Sequence, residues 1–280
     1  MLNTKSTKDM LPETFYKWLI VGGSKTGKTK AFTTFPGKKL AIGLTPRTRA
    51  ALAGDPDIDL IEHMEEESKK KLVRGCAEYS IVPKAWDALW DTGVELWELA
   101  HSDKPFPYIA IMLDDLTTAV DISMNYILGL KKKDGSEVPK GLAGAAAEAQ
   151  YMPQMTVLSR FLKTIFLPLP CHIYVTGHVS FVENKDTGVA MYYPKCYGKI
   201  RENIASWFDE VYESKREVRK DGLKFVWKTA GYGLMQFLGS TIYKEGLWTD
   251  PFEVDLKKPI GGFAELLNLN KKGEKIEHLT

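Results

Sequence analysis

Short apolar runs recur along much of the chain, and polar or turn-forming residues separate them. The runs are continuous rather than alternating, which is typical of strands buried on both faces of a parallel sheet. We therefore predict five strands from this pattern. They cover residues 15–21, 39–44, 58–63, 108–113 and 171–176.

Longer segments with helical periodicity lie between the runs. Residues 83–100 begin with a proline, which is favoured in the first turn of a helix, and carry tryptophans at helical spacing. We interpret this stripe, which contains Trp86, Trp90 and Trp97, as core packing. Residues 116–130 and 154–167 are also predicted helices. Strands that alternate with helices predict an α/β fold with a mostly parallel central sheet flanked by helices.

Two stretches, residues 131–150 and 178–199, show neither pattern and are predicted to be long loops, which are usually functional in a compact domain. The AAAEAQ end of the first stretch is a candidate start of the next helix. After residue 208 the pattern changes, and a turn of sequence RKDG predicts a C-terminal β-hairpin extension. The predicted organisation is an N-terminal tail at 1–14, a core at 15–208, a β-rich extension of the same domain at 209–269 and a flexible tail at 270–280.

The composition argues against several classes of protein, namely strongly basic, disulfide-rich, zinc-binding and membrane-spanning proteins. The 280 residues carry a net charge of only +2, so any contact with nucleic acid must come from local patches. Three cysteines without C-x-x-C spacing argue against a disulfide framework and a zinc site. The N-terminus lacks the apolar segment of a signal peptide, and no run approaches the ~20 apolar residues that span a bilayer. We expect a cytoplasmic protein with no membrane contact.

Residues 22–29 read GGSKTGKT and match the pattern G-x-x-x-x-G-K-[ST]. Glycines let the backbone turn tightly and present amides to phosphate oxygens. Lys28 can reach the β- and γ-phosphates, and the Thr29 hydroxyl can bind Mg²⁺. An apolar run before the loop and a helical segment after it argue against a chance match, so ATP and Mg²⁺ are the predicted cofactors. The predicted contacts are Gly22, Gly23, Ser24, Lys25, Thr26, Gly27, Lys28, Thr29 and Lys30.

Acidic and polar residues follow two other predicted strands. Asp114 comes directly after an apolar run and is the predicted partner of Thr29 at the metal, because this class of site uses an acid at the tip of a neighbouring strand. Asp115 could hold a water molecule or cap the next helix, and we favour the cap. His178 follows the fifth strand and either faces the γ-phosphate or is an exposed loop histidine; we favour the first. The predicted catalytic residues are Lys28, Asp114, Asp115 and His178.

The segments GGSKTGKT, IAIMLDD followed by LTTAV, IYVTGH and KIRENIASWFDEVYE together resemble a known family. It is the phage-type nucleotide-binding proteins with a RecA-like P-loop ATPase core, an AAA-type phage family related to single-strand annealing ATPases. The resemblance spans residues 15–245. It implies a RecA-like P-loop NTPase and an ATPase of phage DNA recombination that acts on single-stranded DNA in the host cytoplasm. It also implies a homo-oligomeric ring or filament, in which Lys244 would reach a neighbour's nucleotide.

One position departs from the family. RecA-like cores usually place a catalytic glutamate just after the second strand, but here the sequence reads GLTPRTRAAL and contains no acid. Glu62 or Asp115 could substitute, and the sequence assigns neither. Hydrolysis is therefore expected to be slow, or absent with binding retained.

The resemblance implies that the two predicted loops are similar in position to the DNA-facing loops of RecA-like cores. Loop 178–199, taken together with Arg201, carries lysines among tyrosines, a combination that contacts phosphates and stacks bases in sequence-tolerant single-strand binders, and the lysines of loop 131–150 add positive charge. A solvated lysine-bearing loop is the alternative interpretation. The predicted nucleic-acid contacts are Lys132, Lys140, Tyr193, Lys195, Lys199 and Arg201.

Two other classes of protein with the same glycine-rich loop are alternative interpretations. A small-molecule or nucleotide kinase would need an arginine-bearing lid over the phosphates, and Arg47 and Arg49 are the only early arginine pair. A non-hydrolysing ATP-binding assembly module would explain the missing acid.

Overall fold

The computed structural model describes residues 15–73, 76–82, 84–129, 146, 148–183, 188–220, 222–242, 250–256 and 262–268, without side chains for 66–82. The predicted tails at 1–14 and 270–280 and the loop residues 131–145 lie outside these ranges. No helix in the described ranges is long and apolar enough to cross a bilayer.

Strands account for the centre of the molecule. In chain order they are β1 (Lys17–Val21), β2 (Lys39–Gly43), β3 (Ile58–Glu62), β4 (Glu66–Val73), β5 (Cys76–Val82), β6 (Ala110–Asp114), β7 (His172–Gly177), β8 (Val179–Glu183), β9 (Ala190–Pro194), β10 (Glu210–Arg219), β11 (Gly222–Lys228), β12 (Gly239–Ser240) and β13 (Phe252–Val254). Among the described residues, nine of them form one sheet in the order β13-β11-β10-β1-β7-β6-β2-β3, with β12 paired to β10.

The pairing is parallel from β10 across to β3 and antiparallel at β11, β12 and β13. The predicted α/β fold with a mostly parallel central sheet is therefore confirmed. Pairs β4–β5 and β8–β9 form two separate antiparallel ribbons. Because all parallel strands end at one edge, the residues that follow β1, β2, β6 and β7 meet there.

Helices cover both faces of the sheet, which explains why β1, β2, β6 and β7 are buried along almost their whole length. They are α1 (Lys28–Ala31), α2 (Pro46–Leu52), α3 (Ala85–Ala100), α4 (Leu116–Gly129), α5 (Glu148–Arg160), which continues as a π-helical segment over Phe161–Phe166, and α6 (Ile200–Asn203). Leu19 and Val21 of β1 pack into the core beneath α3, α4 and α5. The alternate residues Trp18 and Ile20 face the other core, which includes Phe32 at the end of α1.

The tryptophan stripe of α3 is only partly a core feature. Trp86 is buried and its ring centroid lies 5.6 Å from that of Phe161. Trp90 packs against the same cluster. Trp97, in contrast, is 41% exposed and stacks on His101, so the core prediction is wrong for this residue.

One prediction about connections is also wrong. Residues 178–199 are not a loop, because they contain the β8–β9 hairpin. This ribbon is only half-buried, so its apolar residues do not form the continuous run by which buried strands are recognised. The helix predicted at 154–167 begins at Glu148, within the AAAEAQ segment that was its candidate start. The predicted hairpin after residue 208 is present as β10 and β11.

A buried carboxylate joins the C-terminal part of the sheet to the segment that follows β12. Glu210 lies at the start of β10 and its side chain is inaccessible to solvent. One carboxylate oxygen accepts hydrogen bonds from the amide and hydroxyl of Thr241, both at 2.8 Å, and from the Ile242 amide at 3.0 Å. The other accepts from the hydroxyls of Ser240, at 2.5 Å, and Tyr212. Glu210 therefore holds residues 240–242 against β10.

Candidate phosphate-binding site

The glycine-rich loop connects β1 to α1 and is shaped by contacts that only glycine permits. Gly22 has φ 146° and Gly27 has φ 90°, both in the region that favours glycine. A Cβ atom at Gly22 would lie 2.4 Å from the carbonyl oxygen of Ser214 on β10. A Cβ atom at Gly27 would lie 2.7 Å from the side chain of Leu256. The loop backbone is therefore in close contact with two other segments, β10 at Ser214 and the segment that contains Leu256.

Lys28 places its ammonium group inside this loop. Its Nζ donates hydrogen bonds to the carbonyl oxygens of Gly22, at 3.0 Å, and Gly23, at 2.6 Å. Burial lowers the pKa of Lys28, and the nearby charges of Asp114 and Asp115 oppose that shift. The backbone of Lys28 is also fixed, because the buried Tyr174 hydroxyl donates to its carbonyl oxygen at 2.6 Å. A phosphate oxygen that enters the loop would therefore meet a pre-positioned cation.

Asp114, at the end of β6, accepts hydrogen bonds from threonine hydroxyls of three other elements. Thr29 of α1 lies 3.1 and 3.2 Å from its two carboxylate oxygens, Thr48 of α2 lies at 2.7 Å and Thr176 of β7 at 2.5 Å. Asp114 is only 6% exposed. Burial raises its pKa, while the threonine hydroxyls lower it. The structure thus brings together Thr29 and Asp114, the two predicted metal ligands.

Thr48 and Thr176 were not among the predicted site residues. Thr176 ends an apolar run that leads to His178, so its position along the chain could have identified it. Thr48 lies in the segment GLTPRT, where the missing acid was sought, and it is fully buried. Gly43 provides room for it, since a Cβ atom there would lie 2.9 Å from the Thr48 Cβ. Thr48 reaches the acid because Gly43 and Asp114 are paired in adjacent strands, and the sequence does not reveal this pairing.

Asp115 and His178 lie beside this cluster. An Asp115 carboxylate oxygen accepts the Thr118 amide at 2.7 Å, which is the contact of a helix N-cap at α4. The His178 ring places Nδ1 3.2 Å from the Gly22 carbonyl oxygen and Nε2 3.9 Å from the second oxygen of Asp115. The His178 amide donates to the Thr117 hydroxyl at 3.2 Å. His178 is therefore fixed between the glycine-rich loop and the start of α4.

Each substitute for the missing acid accepts hydrogen bonds through one carboxylate oxygen, while the other oxygen of Glu62, Oε1, is buried without a hydrogen-bond partner among the described residues. Glu62, at the end of β3, accepts hydrogen bonds from the guanidinium of Arg49, one of them at 3.0 Å. Asp115 caps α4. The strand order places β2 between β3 and β6, so Glu62 is two strands away from Asp114.

Four of the six predicted nucleic-acid contacts lie in the described part of the chain. Tyr193 of β9 and Arg201 of α6 line one cleft of about 410 Å³, and the Arg201 guanidinium carbon lies 5.9 Å from the Tyr193 ring centroid. Lys195 and Lys199 are exposed in the segment between these two elements. Lys132, Lys140 and the predicted trans-acting Lys244 lie outside the described residues.

Comparisons with known proteins place this geometry in a family. A search of curated proteins finds no match. Among solved structures, the flagellar accessory protein FlaH from Methanocaldococcus jannaschii is similar to the chain at 12% identity, with a TM-score of 0.34 and coverage of 82% of each chain. The chain matches the AAA domain family over residues 14–247, a range that includes the glycine-rich loop, Asp114 and His178. Because this match covers most of the 280 residues and the sheet is mostly parallel, the chain belongs to the AAA domain family and has a P-loop NTPase fold.

Proposed function

We propose that this protein is an ATPase of the phage recombination type, which binds ATP with Mg²⁺ and acts on single-stranded DNA. The observation that carries the nucleotide part is the contact of Thr29 with Asp114 beside the buried ammonium of Lys28. Hydroxyl and carboxylate oxygens are the donors that Mg²⁺ prefers, and a lysine in a glycine-rich loop neutralises phosphate charge.

Each residue of the site has a distinct task in this proposal. Lys28 stabilises charge on the transferring phosphoryl group, and the amides of residues 22–29 orient the phosphates. Thr29 and Asp114 would hold Mg²⁺, which when bound would neutralise charge on the β- and γ-phosphates. Thr48 and Thr176 orient the Asp114 carboxylate. His178 connects the Gly22 carbonyl to the β8–β9 hairpin, whose first residue follows it.

The role of Thr48 gives a specific prediction. Thr48→Val keeps the shape of the side chain but removes the hydroxyl that holds Asp114, so the Mg²⁺ concentration for half-maximal ATP hydrolysis should rise about tenfold, as for other residues that orient a metal ligand. Thr48→Ser keeps the hydroxyl and should stay close to wild type. ATP hydrolysis measured in a Mg²⁺ titration checks both variants. An unchanged Mg²⁺ requirement in Thr48→Val would show that Thr48 only fills space.

The DNA part of the proposal rests on the cleft between the β8–β9 hairpin and α6. An aromatic ring beside a guanidinium suits base stacking with phosphate contact, and Lys195 and Lys199 add positive charge. Glu183 and Glu202 also line the cleft, so we expect it to contact bases more than phosphates. The hairpin is tied to the nucleotide site, since the Lys195 amide donates to the His178 carbonyl at 2.8 Å. A bound strand would thereby be linked to the glycine-rich loop.

The assembly of subunits is proposed from the family resemblance alone. A homo-oligomeric ring or filament would place Lys244 near the nucleotide of a neighbouring subunit. Sedimentation with and without ATP tests this step, and a monomer under both conditions would remove it.

ATP hydrolysis with and without single-stranded DNA tests the function as a whole. We expect DNA to increase turnover, and we expect Arg201→Ala to remove most of this increase while leaving the DNA-independent rate. Arg160→Ala is a matched control, because Arg160 is exposed at the end of α5 that leads to the opposite edge of the sheet. The DNA part is wrong if filter binding in moderate salt detects no affinity in any nucleotide state.

A second candidate function is ATP binding without turnover. The engagement of Glu62 with Arg49 and of Asp115 with the α4 cap favours it, because both candidate bases already have partners. Turnover equal to that of Lys28→Ala, with wild-type ATP binding intact, would establish this alternative. The same Arg49 contact disfavours a kinase, since it engages one member of the early arginine pair with Glu62.

A further inference from the structure

A second cleft, of about 350 Å³, lies between β10, the β8–β9 hairpin and the turn that follows β11. Glu213 and Lys215 of β10 form its polar side. The hairpin and the turn supply the remaining lining residues, which are Val179, Tyr192, Tyr232, Leu234 and Met235. The Tyr192 amide donates to the Leu234 carbonyl at 3.0 Å and ties the hairpin to the turn.

The polar groups of this cleft are hydrogen-bond donors and acceptors that lie close together. The Glu213 carboxylate is 8% exposed, pairs with the Lys215 ammonium at 3.2 Å and accepts the Tyr232 hydroxyl. Lys215 also donates to that hydroxyl, and its Nζ lies 4.6 Å from the Tyr232 ring centroid. A carboxylate and an ammonium group side by side present an acceptor and a donor to one ligand edge. The rest of the lining is apolar or aromatic.

The cleft and the segment that follows the glycine-rich loop lie on opposite faces of the sheet. The glycine-rich loop continues into α1, and Ala31 and Phe32 pack with Tyr212 and Trp227 on one face of the sheet. Met235 belongs to the core on the other face, with Val21 and Val211. Glu213 alternates with Tyr212 along β10 and so points to the Met235 face.

The size and lining of the cleft indicate one class of ligand. Its volume is near the lower end of the roughly 300–1,000 Å³ typical of small-molecule sites, which suits one ring system and not a whole triphosphate. A nucleobase has flat faces that pack on tyrosine and aliphatic side chains. Its edge carries adjacent hydrogen-bond donors and acceptors that match Glu213 and Lys215.

Both sides of the cleft also contact the glycine-rich loop. Ser214, between Glu213 and Lys215, donates its hydroxyl to the Thr26 carbonyl at 2.8 Å. Val179 follows His178, whose ring lies 3.2 Å from the Gly22 carbonyl oxygen. We propose that this cleft is a second, nucleobase-binding site, separate from the phosphate loop and next to it, with Ser214 and His178 contacting the loop backbone. The site adds to the proposed function and does not depend on ATP hydrolysis.

Binding of the four deoxynucleosides, which carry no phosphate, tests this proposal in the full chain by calorimetry or ligand-observed NMR. We expect saturable binding of at least one nucleoside, with the same affinity in Lys28→Ala. Glu213→Gln should weaken binding about tenfold by removing the charged acceptor. Tyr232→Phe, which keeps the ring, should weaken it less and serves as a second test if Glu213→Gln lowers stability. Glu217→Gln is the matched control, because Glu217 lies on the same strand outside the cleft.

A competition experiment shows whether the bound base belongs to a DNA strand or to a free nucleoside or nucleotide. Displacement of the nucleoside by a short single-stranded oligonucleotide, lost in Glu213→Gln, would identify a base of the strand as the ligand. Absence of displacement would identify a free nucleoside or nucleotide. The proposal is overturned if no nucleoside binds saturably, if Glu213→Gln and Tyr232→Phe bind like wild type, or if Lys28→Ala abolishes binding. Loss of ATP hydrolysis alone leaves it intact, so its failure and that of the proposed function are distinguishable.

Discussion

Lys28→Ala is expected to lower the rate of ATP hydrolysis roughly 10²- to 10³-fold, the loss typical for removal of one pre-positioned group that stabilises transition-state charge. The ammonium is buried inside the loop and held by two loop carbonyls, so no other described cation can take its place without rearrangement of the loop. The measurement is steady-state phosphate release at saturating ATP and Mg²⁺.

The control for this variant separates chemistry from folding. Lys104→Ala removes an exposed lysine in the connection from α3 to β6, away from the edge where the loop lies, and should leave the rate unchanged. Thermal unfolding supplies a second readout, because ATP should raise the unfolding temperature of the wild type but not of Lys28→Ala. Equal rates for wild type and Lys28→Ala, with clear turnover in both, would show that phosphate chemistry takes place elsewhere.

Glu210→Ala is expected to reduce the free energy of unfolding by about 3–5 kcal/mol. The substitution leaves two amides and three hydroxyls without their acceptor, and each buried unsatisfied group costs about 1–3 kcal/mol before water recovers part of the loss. The residue lies at the edge of the sheet opposite the glycine-rich loop, so the effect should appear in stability and not in ATP affinity. Chemical denaturation monitored by circular dichroism gives the difference.

Glu210→Gln distinguishes this hydrogen-bond network from simple packing. Its amide oxygen can accept the bonds from Thr241 and Ile242, and the hydroxyls of Ser240 and Tyr212 can rotate to accept from the new amide group. We expect a loss well below that of Glu210→Ala. Similar losses for the two variants would mean that the negative charge itself, and not the set of acceptors, holds residues 240–242.

The elements that the sequence predicted are those whose physical signal is local. Burial on both faces produces continuous apolar runs, and these located β1, β2, β6 and β7 to within two residues. The edge strand β3 is only half-buried and was located to the same precision from a less continuous run. The glycine-rich loop was identified because its conformation and its chemistry are both encoded in eight consecutive residues. Asp114 was found by its place after an apolar run.

Features that depend on pairing between distant segments were not predictable in the same way. Thr48 reaches Asp114 only because β2 and β6 are adjacent, and a threonine carries no signal of that contact. Glu213 and Tyr232 meet across 19 residues of chain, which no periodicity reveals. The polar strand β4, EESKKKLV, pairs with β5 without an apolar pattern that marks it as a strand.

β10 packs directly against the glycine-rich loop, and this contact limits where the chain can be truncated. β10 pairs with β1 over four consecutive positions, and the Ser214 carbonyl occupies the space beside Gly22. A protein shortened to end at residue 208 would lose more than an appendage. It would expose the backbone of β1, the strand that leads into the loop, and so create an unpaired sheet edge that promotes aggregation. It would also remove the residues of β10 that pack against the loop backbone.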